Sequence, residues 1–212
     1  MTINWKKEID KFIAADREAR RGKHTPLNPN EFYASSMTGC VRQSTKQRLG
    51  LAKYPAHALR SMMVGTILHA WLQSINKEPH MEYEKQTRLE LPPYTIIGRI
   101  DAYDGETVYD FKTINGLKYA VNKSEKDELS YQMQLSVYAH ALNCGARIVY
   151  VDKSSLATHE KHIKVLPKEE LLNFCHKITA AIEEYRKTGE LPPKCGCFSC
   201  KSEGHEKMHI VR

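Results

Sequence analysis

The stretch Gly98-Arg-Ile-Asp-Ala-Tyr-Asp-Gly-Glu-Thr-Val-Tyr-Asp-Phe-Lys112 reads as two strands around a tight turn. Asp104-Gly105 is a two-residue hairpin signal set between β-branched and aromatic residues. With that pair as the loop, Tyr103 faces Glu106, Asp101 faces Val108, and Arg99 faces Asp110. Side chains alternate along a strand, so Asp101, Asp110 and Lys112 share one face, and Ile100, Tyr109 and Phe111 the other. Asp101 and Asp110 then become diagonal cross-strand neighbours whose carboxylates can converge.

Two carboxylates ~4 Å apart repel by about 4 kcal/mol at an effective dielectric of about 20. A shared proton or a divalent cation relieves that repulsion, and Lys112 brings a positive charge to the same place. Two acids and a lysine around a hard metal suit phosphodiester hydrolysis. The metal activates water and polarises the phosphoryl oxygen, while the lysine orients the nucleophile or neutralises developing charge. A surface hairpin with solvated charges has the same spacing, so the surrounding chain has to decide.

Other candidates lie in order along the chain. Residues 60–76 read as a helix with Met62, Gly65, Leu68, His69 and Leu72 on or near one stripe. A histidine there is either a hydrogen-bonded core residue or a metal ligand. Residues 81–97 read as strands broken by Pro92-Pro93, with Glu84 as an exposed strand carboxylate. Residues 114–127 are polar and lysine-rich, a loop expected to lie over the site or a DNA groove. A helix from about Leu129 to Leu142, ended near Gly145, puts Gln134 and Tyr138 on one face. A glutamine there can hold a water or a DNA group, and a tyrosine can stack on a base or bond a phosphate.

The flanks are helical. Residues 3–21 carry Trp5, Ile9, Phe12 and Ile13 at helical spacing as a packing element, and residues 23–34 read as a connecting loop. Ser35-Ser36 is suited to cap the following helix, on which Arg42, Lys46 and Arg48 offer contacts to phosphates or simply form a solvated face. Arg147–Val151 and His159–Val165 read as two further strands. Pro167 opens a long helix through about Lys187, with Leu171, Phe174, Ile178 and Ile182 facing inward. Cys144 and Cys175 read as core residues.

The chain of 212 residues carries a net charge of +7 with 27% charged and 41% hydrophobic residues. Such a composition fits a soluble globular domain and favours an anionic partner such as nucleic acid. No apolar run approaches the ~18 residues of a membrane span. The N-terminal Met1-Thr-Ile-Asn-Trp-Lys-Lys-Glu lacks an apolar secretory core. Six cysteines, three of them within Cys195-Gly-Cys197-Phe-Ser-Cys200, suggest metal ligation in a reducing, cytoplasmic compartment. Cys40 is the candidate fourth thiolate, and four thiolates suit zinc and an iron–sulfur cluster equally well.

Five ordered signals resemble the RecB-like branch of the PD-(D/E)xK nuclease superfamily: Gly65-x-x-x-His69, Gly98-x-x-Asp101, Asp110-x-Lys112, Gln134-x-x-x-Tyr138 and the split cysteine set. The resemblance runs from Cys40 to Cys200. It implies an α/β fold with a mixed central sheet flanked by helices, and a cysteine-ligated staple between the N- and C-terminal parts. It also implies metal-dependent DNA exonuclease activity on single strands or DNA ends. His69, Asp101, Asp110 and the Phe111 carbonyl would hold Mg²⁺ or Mn²⁺, Lys112 would position the attacking water, and Gln134 and Tyr138 would hold water and substrate. Glu84 resembles an auxiliary acid found in part of the superfamily.

The cysteine set resembles that of iron–sulfur nucleases, among them the CRISPR-associated RecB-like exonucleases of the fourth Cas family, and so implies a 4Fe–4S cluster. The Cys-x-Cys-x-x-Cys spacing is tighter than is usual there, which leaves zinc open, or a ligand from His205 or His209. The expected organisation is one domain over 1–212. Within it lie a helical part with Cys40 (1–60), a nuclease core (61–166), and a C-terminal helix with the cysteine cluster (167–212). Two settings follow from the resemblance, trimming of captured DNA beside a CRISPR integrase or service in phage and mobile-element recombination, and oligomers are compatible with either. A nuclease fold that binds DNA as a silent subunit of an assembly is the competing reading, and a metal-stapled adaptor is a third.

Overall fold

A computed structural model describes residues 4–20, 28–75, 78–121 and 125–203. His205 and His209 lie outside the described residues. The hairpin that organises the chain is formed by β3 (Tyr94–Tyr103) and β4 (Thr107–Ile114). Its register differs from the expected one. Ala102 pairs with Tyr109 and Tyr103 with Val108, which moves the two-residue tip from Asp104-Gly105 to Gly105-Glu106. The cause is the Asp104 carboxylate, which accepts the N–H groups of Glu106 at 2.9 Å and Thr107 at 2.7 Å. An aspartate that bonds the backbone two and three residues ahead builds the turn after itself. Gly105, at φ +98°, takes the left-handed position that this tip requires.

Six strands form one mixed sheet. β2 (Glu82–Leu91) runs antiparallel to β3 along its whole length, joined to it through Pro92-Pro93. The other edge of β3 is shared. β1 (Glu31–Tyr33) pairs in parallel with residues 95–97, while β4 pairs only at Ala102 and Tyr103. Residues 98–101 therefore lie between the two pairings on that edge. β5 (Gly145–Asp152) lies parallel to β4, and β6 (Thr158–His162) antiparallel to β5. β5 is buried almost continuously from Ile148 to Asp152, as a strand flanked on both sides in a covered sheet is expected to be.

Helices α1 (Trp5–Arg20), α2 (Val41–Arg48), α3 (Ala56–Ile75), α4 (Lys118–Val121), α5 (Glu125–Leu142), α6 (Lys168–Thr188) and α7 (Phe198–Ser202) surround the sheet. The core brings Ile96, Ile100, Val108 and Ile148 of the sheet together with Leu135 and Val137 of α5 and Leu171 and Ile178 of α6. This is the expected fold class: a mixed sheet flanked by helices, with the four cysteines joining early and late parts of the chain. No described helix is long and apolar enough to cross a membrane.

Several local expectations are corrected. The 23–34 stretch is not loop throughout, because Glu31–Tyr33 forms β1 against β3. Ser35-Ser36 does not cap α2; it lies in a 3-10 turn over Ala34–Ser36, and Cys40 is the N-cap. Within 114–127, Lys118–Val121 is helical and α5 already begins at Glu125. That helix ends on Asn143, left-handed at φ 51°, while Gly145 opens β5. Among the described side chains of α1, which do not include Trp5, only Ile13 is buried, and Ile9 and Phe12 stay exposed, as does Met62 on α3.

Candidate active site and cysteine cluster

One step beyond the Ala102–Tyr109 pair, the register sets Asp101 across from Asp110. The ladder stops there, and the Phe111 N–H is donated to Asp101 Oδ2 at 2.8 Å. On the other side of β3, Tyr83 pairs with Ala102 and Lys85 with Ile100, so Glu84 lies opposite Asp101. Three acids thus stand at one level across β2, β3 and β4. Glu84 has φ 53°, a left-handed conformation that a non-glycine residue adopts only at a cost. Its carboxylate is held by Gln73 of α3 at 2.6 Å and Arg99 at 2.5 Å. The expectation of an ordinary exposed strand carboxylate does not describe it.

Asp110 is 2% exposed, yet it is an acid on a strand whose neighbour Val108 is fully buried. Lys112 Nζ approaches Asp110 Oδ2 at 2.7 Å. That approach is an ion pair but not a well-angled hydrogen bond, and Oδ2 has no hydrogen-bond partner among the described residues. Burial pushes the Asp110 carboxyl above the ordinary carboxylate range, with Lys112 opposing and the Asp101 charge adding to the rise. Lys112 is half-buried, which disfavours its charge, but Asp110 outweighs this and holds the ammonium above its ordinary value. Its ammonium also stands 5.1 Å from the centre of the Tyr131 ring.

His69 reaches the acids from α3. Its Nδ1 lies 3.6 Å from Asp101 Oδ2, too long for a hydrogen bond but close enough for both to face one ion. Burial would lower the His69 pKa; the Asp101 carboxylate overrides that and raises it. Phe111, expected to point away, stacks edge-on against His69 at 6.0 Å between ring centres, since the strands part at this point. Gly65, one turn before His69, faces Thr113 of β4, with 3.3 Å between a Cβ placed there and Thr113 Oγ1. The half-buried stripe of Gly65, Leu68, His69 and Leu72 is therefore the face that α3 turns to the sheet.

From α5 come Gln134 and Tyr138, whose Nε2 and hydroxyl are joined at 3.1 Å. Tyr138 is buried, and this pushes its pKa up to about 12, so the phenol keeps its proton. Tyr131 joins them one turn earlier on the same face. Sequence reasoning missed it, although Tyr131-x-x-Gln134-x-x-x-Tyr138 carries the helical spacing that would have found it.

A buried carboxylate beside a second acid and an imidazole has the donor types that a divalent cation takes, although Asp110 Oδ2 already lies 2.7 Å from the Lys112 ammonium. The nitrogen donor suits Mn²⁺ better than Mg²⁺. The donor types suit a divalent cation, but among the described residues only the four cysteines converge within 4.8 Å; His69 and Asp101 face each other at 3.6 Å, and Asp110 is held by Lys112.

The second centre is tighter. Cys195 Sγ lies 3.4 Å from Cys40 Sγ and 3.9 Å from Cys200 Sγ, and Cys40 and Cys200 are 3.6 Å apart. With Cys197 included, all four sulfurs fall within 4.8 Å of one another, an arrangement that can hold a metal. Of the remaining cysteines, Cys175 is buried in the core and Cys144 half-buried, as expected. Arg42 and Lys46, expected to face phosphate, are instead engaged by Glu203, at 2.8 Å each, and Arg42 also donates to the Pro192 carbonyl at 2.5 Å. That carboxylate lies more than 150 residues away in the chain.

No protein-family model and no curated protein matches this chain. Among solved structures it is similar to SSO0001, with a TM-score of 0.61 and 19% identity over 81% of this chain and 85% of that one. It is also similar to a Eubacterium rectale protein named "Putative exonuclease", with a TM-score of 0.52 and 13% identity over 88% of this chain and 92% of that one. These likenesses establish a shared fold.

Proposed function

We propose that this chain is a metal-dependent deoxyribonuclease that removes nucleotides from single-stranded DNA or DNA ends. The observation that carries this reading is Asp110: a carboxylate at 2% exposure, set against Lys112, with an oxygen lacking a hydrogen-bond partner among the described residues. Burying such a charge costs several kcal/mol unless it is paired, and Lys112 supplies that pairing within reach of a second acid and an imidazole. The fold shared with a protein named as an exonuclease is consistent with it.

In this reading His69, Asp101 and Asp110 hold Mg²⁺ or Mn²⁺, joined by the Phe111 carbonyl. When bound, the ion supplies Lewis acidity to the phosphoryl group and lowers the pKa of water beside it. Lys112, fixed by Asp110 and by the Tyr131 ring, orients the attacking water and meets the charge that develops on the phosphate. The Phe111 N–H holds Asp101 Oδ2 in place, so that the carboxylate is oriented before substrate arrives. Gln134 and the protonated Tyr138 offer donors to water and to the strand. The net charge of +7 favours an anionic polymer as substrate.

CRISPR adaptation and phage or mobile-element recombination both require such trimming of DNA ends, within an integrase or recombination complex. A silent DNA-binding subunit would have no use for a buried acid–lysine pair with an imidazole beside it. Digestion of end-labelled single- and double-stranded DNA with Mg²⁺ or Mn²⁺ tests the proposal, with Lys112→Ala as control. Nucleotide release that needs the cation and Lys112 is expected. Intact DNA under every condition would end the reading.

A further inference from the structure

We propose that Cys40, Cys195, Cys197 and Cys200 hold one tetrahedral Zn²⁺ ion and not the 4Fe–4S cluster that the family resemblance implies. The argument is metric. With Zn–S bonds of about 2.3 Å, the sulfurs of a tetrahedral site stand about 3.8 Å apart. Here three of the separations are 3.4, 3.6 and 3.9 Å, and the whole set lies within 4.8 Å. In a cubane each thiolate binds a different iron at a different corner, which spreads the four sulfurs to roughly 6 Å. The sulfurs of Cys40, Cys195 and Cys200 are already in van der Waals contact and enclose room for one ion.

The local chain explains why they do not spread. Gly196, at φ +78°, reverses the backbone between Cys195 and Cys197, which turns two thiolates two residues apart toward one centre. Cys200 follows three residues later, in the single turn of α7, and is fully buried. On the opposite side Cys40 is pinned as the N-cap of α2: its N–H is donated to Thr38 Oγ1 at 3.2 Å, and its carbonyl accepts from Ser44 N at 3.0 Å.

The two halves are then tied together outside the sulfurs. Glu203, just past α7, accepts from Arg42, Gln43 and Lys46 of α2 at 2.8, 3.2 and 2.8 Å. Lys194 Nζ, beside Cys195, is donated to the Glu203 carbonyl at 2.7 Å. Opening the thiolates by the 2 Å or more that a cubane would need (from about 3.8 to about 6 Å) means pulling Cys200 and Cys195 away from α2. Each of those contacts resists it. Four thiolates around Zn²⁺ carry a net double negative charge, and Lys177 is among the residues that line the groove beside Cys40 and Cys195.

The test is the metal content of the full chain, produced with both zinc and iron available and purified without oxygen. The expected result is about one zinc per chain, no acid-labile sulfide and no visible absorption. Replacing zinc by Co²⁺ should give the visible bands of a tetrahedral thiolate site. Cys40→Ser and Cys200→Ser should each lose most of the bound zinc. About four iron and four sulfide per chain, with the brown colour of a cubane, would overturn the proposal, and so would protein without metal. The measurement does not depend on DNA cleavage, so its outcome and that of the nuclease assay are read separately.

Discussion

Gly98 lies so close to Tyr138 that it admits no side chain: a Cβ on Gly98 would sit 2.5 Å from Tyr138 Cε1 and 3.1 Å from its hydroxyl. The first residue of the Gly-Arg-Ile-Asp stretch is thus small to admit a phenol from α5, and the same contact sets where Tyr138 bonds Gln134. Gly98→Ala should push the ring aside at a cost of about 1–3 kcal/mol. Thermal unfolding would register that loss, and nucleotide release from labelled DNA should slow with it. Gly98→Ala paired with Tyr138→Phe should not restore cleavage, because the clash is with the ring edge as well as the hydroxyl.

His69 is expected to act through cation affinity. Its Nδ1 faces Asp101 Oδ2 at 3.6 Å, too far for a hydrogen bond, and that oxygen, which accepts the Phe111 N–H, keeps a second lone pair for an ion. His69→Ala should raise the Mn²⁺ concentration for half-maximal cleavage by about tenfold or more. It should also narrow the difference between Mn²⁺ and Mg²⁺, since the nitrogen donor is what favours the former. A cation titration of cleavage by the two proteins is the check. An unchanged midpoint would place His69 in packing alone.

Much of this site was legible before any coordinates. Asp101, Asp110 and Lys112 share a face because strand side chains alternate, and that survives here because sliding a two-residue turn by one position shifts the register by two. The turn itself was misplaced by one residue, because the Asp104 carboxylate captures two backbone N–H groups, and a dipeptide rule does not weigh that competition. β1 was hidden by its length: three residues after a Pro-Asn pair look like loop until β3 offers them an edge. Arg42 and Lys46 looked free for phosphate because nothing local announces Glu203, which meets them only through the long-range fold. The four cysteines could be grouped from spacing, but zinc and a cubane differ in sulfur separation, which is a property of folded geometry.

Glu203 should make the closure of the chain end on α2 acid-sensitive. Partial burial pushes its carboxyl up, but the bonds from Lys46 and Arg42 prevail and hold it below the ordinary glutamate value. A carboxyl lowered on folding contributes stability that is complete above its unfolded value and fades as pH falls through the folded one. Both partners are partly solvated, so the contribution is on the order of 1 kcal/mol. Thermal melts from neutral pH to below the ordinary glutamate range should therefore fall more steeply for the unaltered protein than for Glu203→Gln. Parallel slopes would mean that the ion pairs contribute nothing measurable.

Asp110 and Lys112 should uncouple stability from catalysis. Removing one partner of a buried ion pair costs about 3–5 kcal/mol when the orphaned charge must remain. Asp110 can escape part of that cost by taking a proton, since burial already holds its pKa above the ordinary value. In Lys112→Met, without added Mg²⁺ or Mn²⁺, the destabilisation should be smallest in acid, where the carboxyl is neutral in both states. It should grow as pH rises from the unfolded carboxyl value through the raised folded one, because the folded protein then has to give up the proton or bury the charge. Asp110→Asn/Lys112→Met should recover most of the stability at neutral pH, since neither charge remains. Neither variant should cleave: the first lacks the ammonium beside the phosphate, the second a ligand as well, and each loss is about 10²-fold or more. Melts across pH and a cleavage assay on the same preparations test both halves. A double variant that regained cleavage along with stability would show that the pair serves packing and leave the buried carboxylate without a catalytic role.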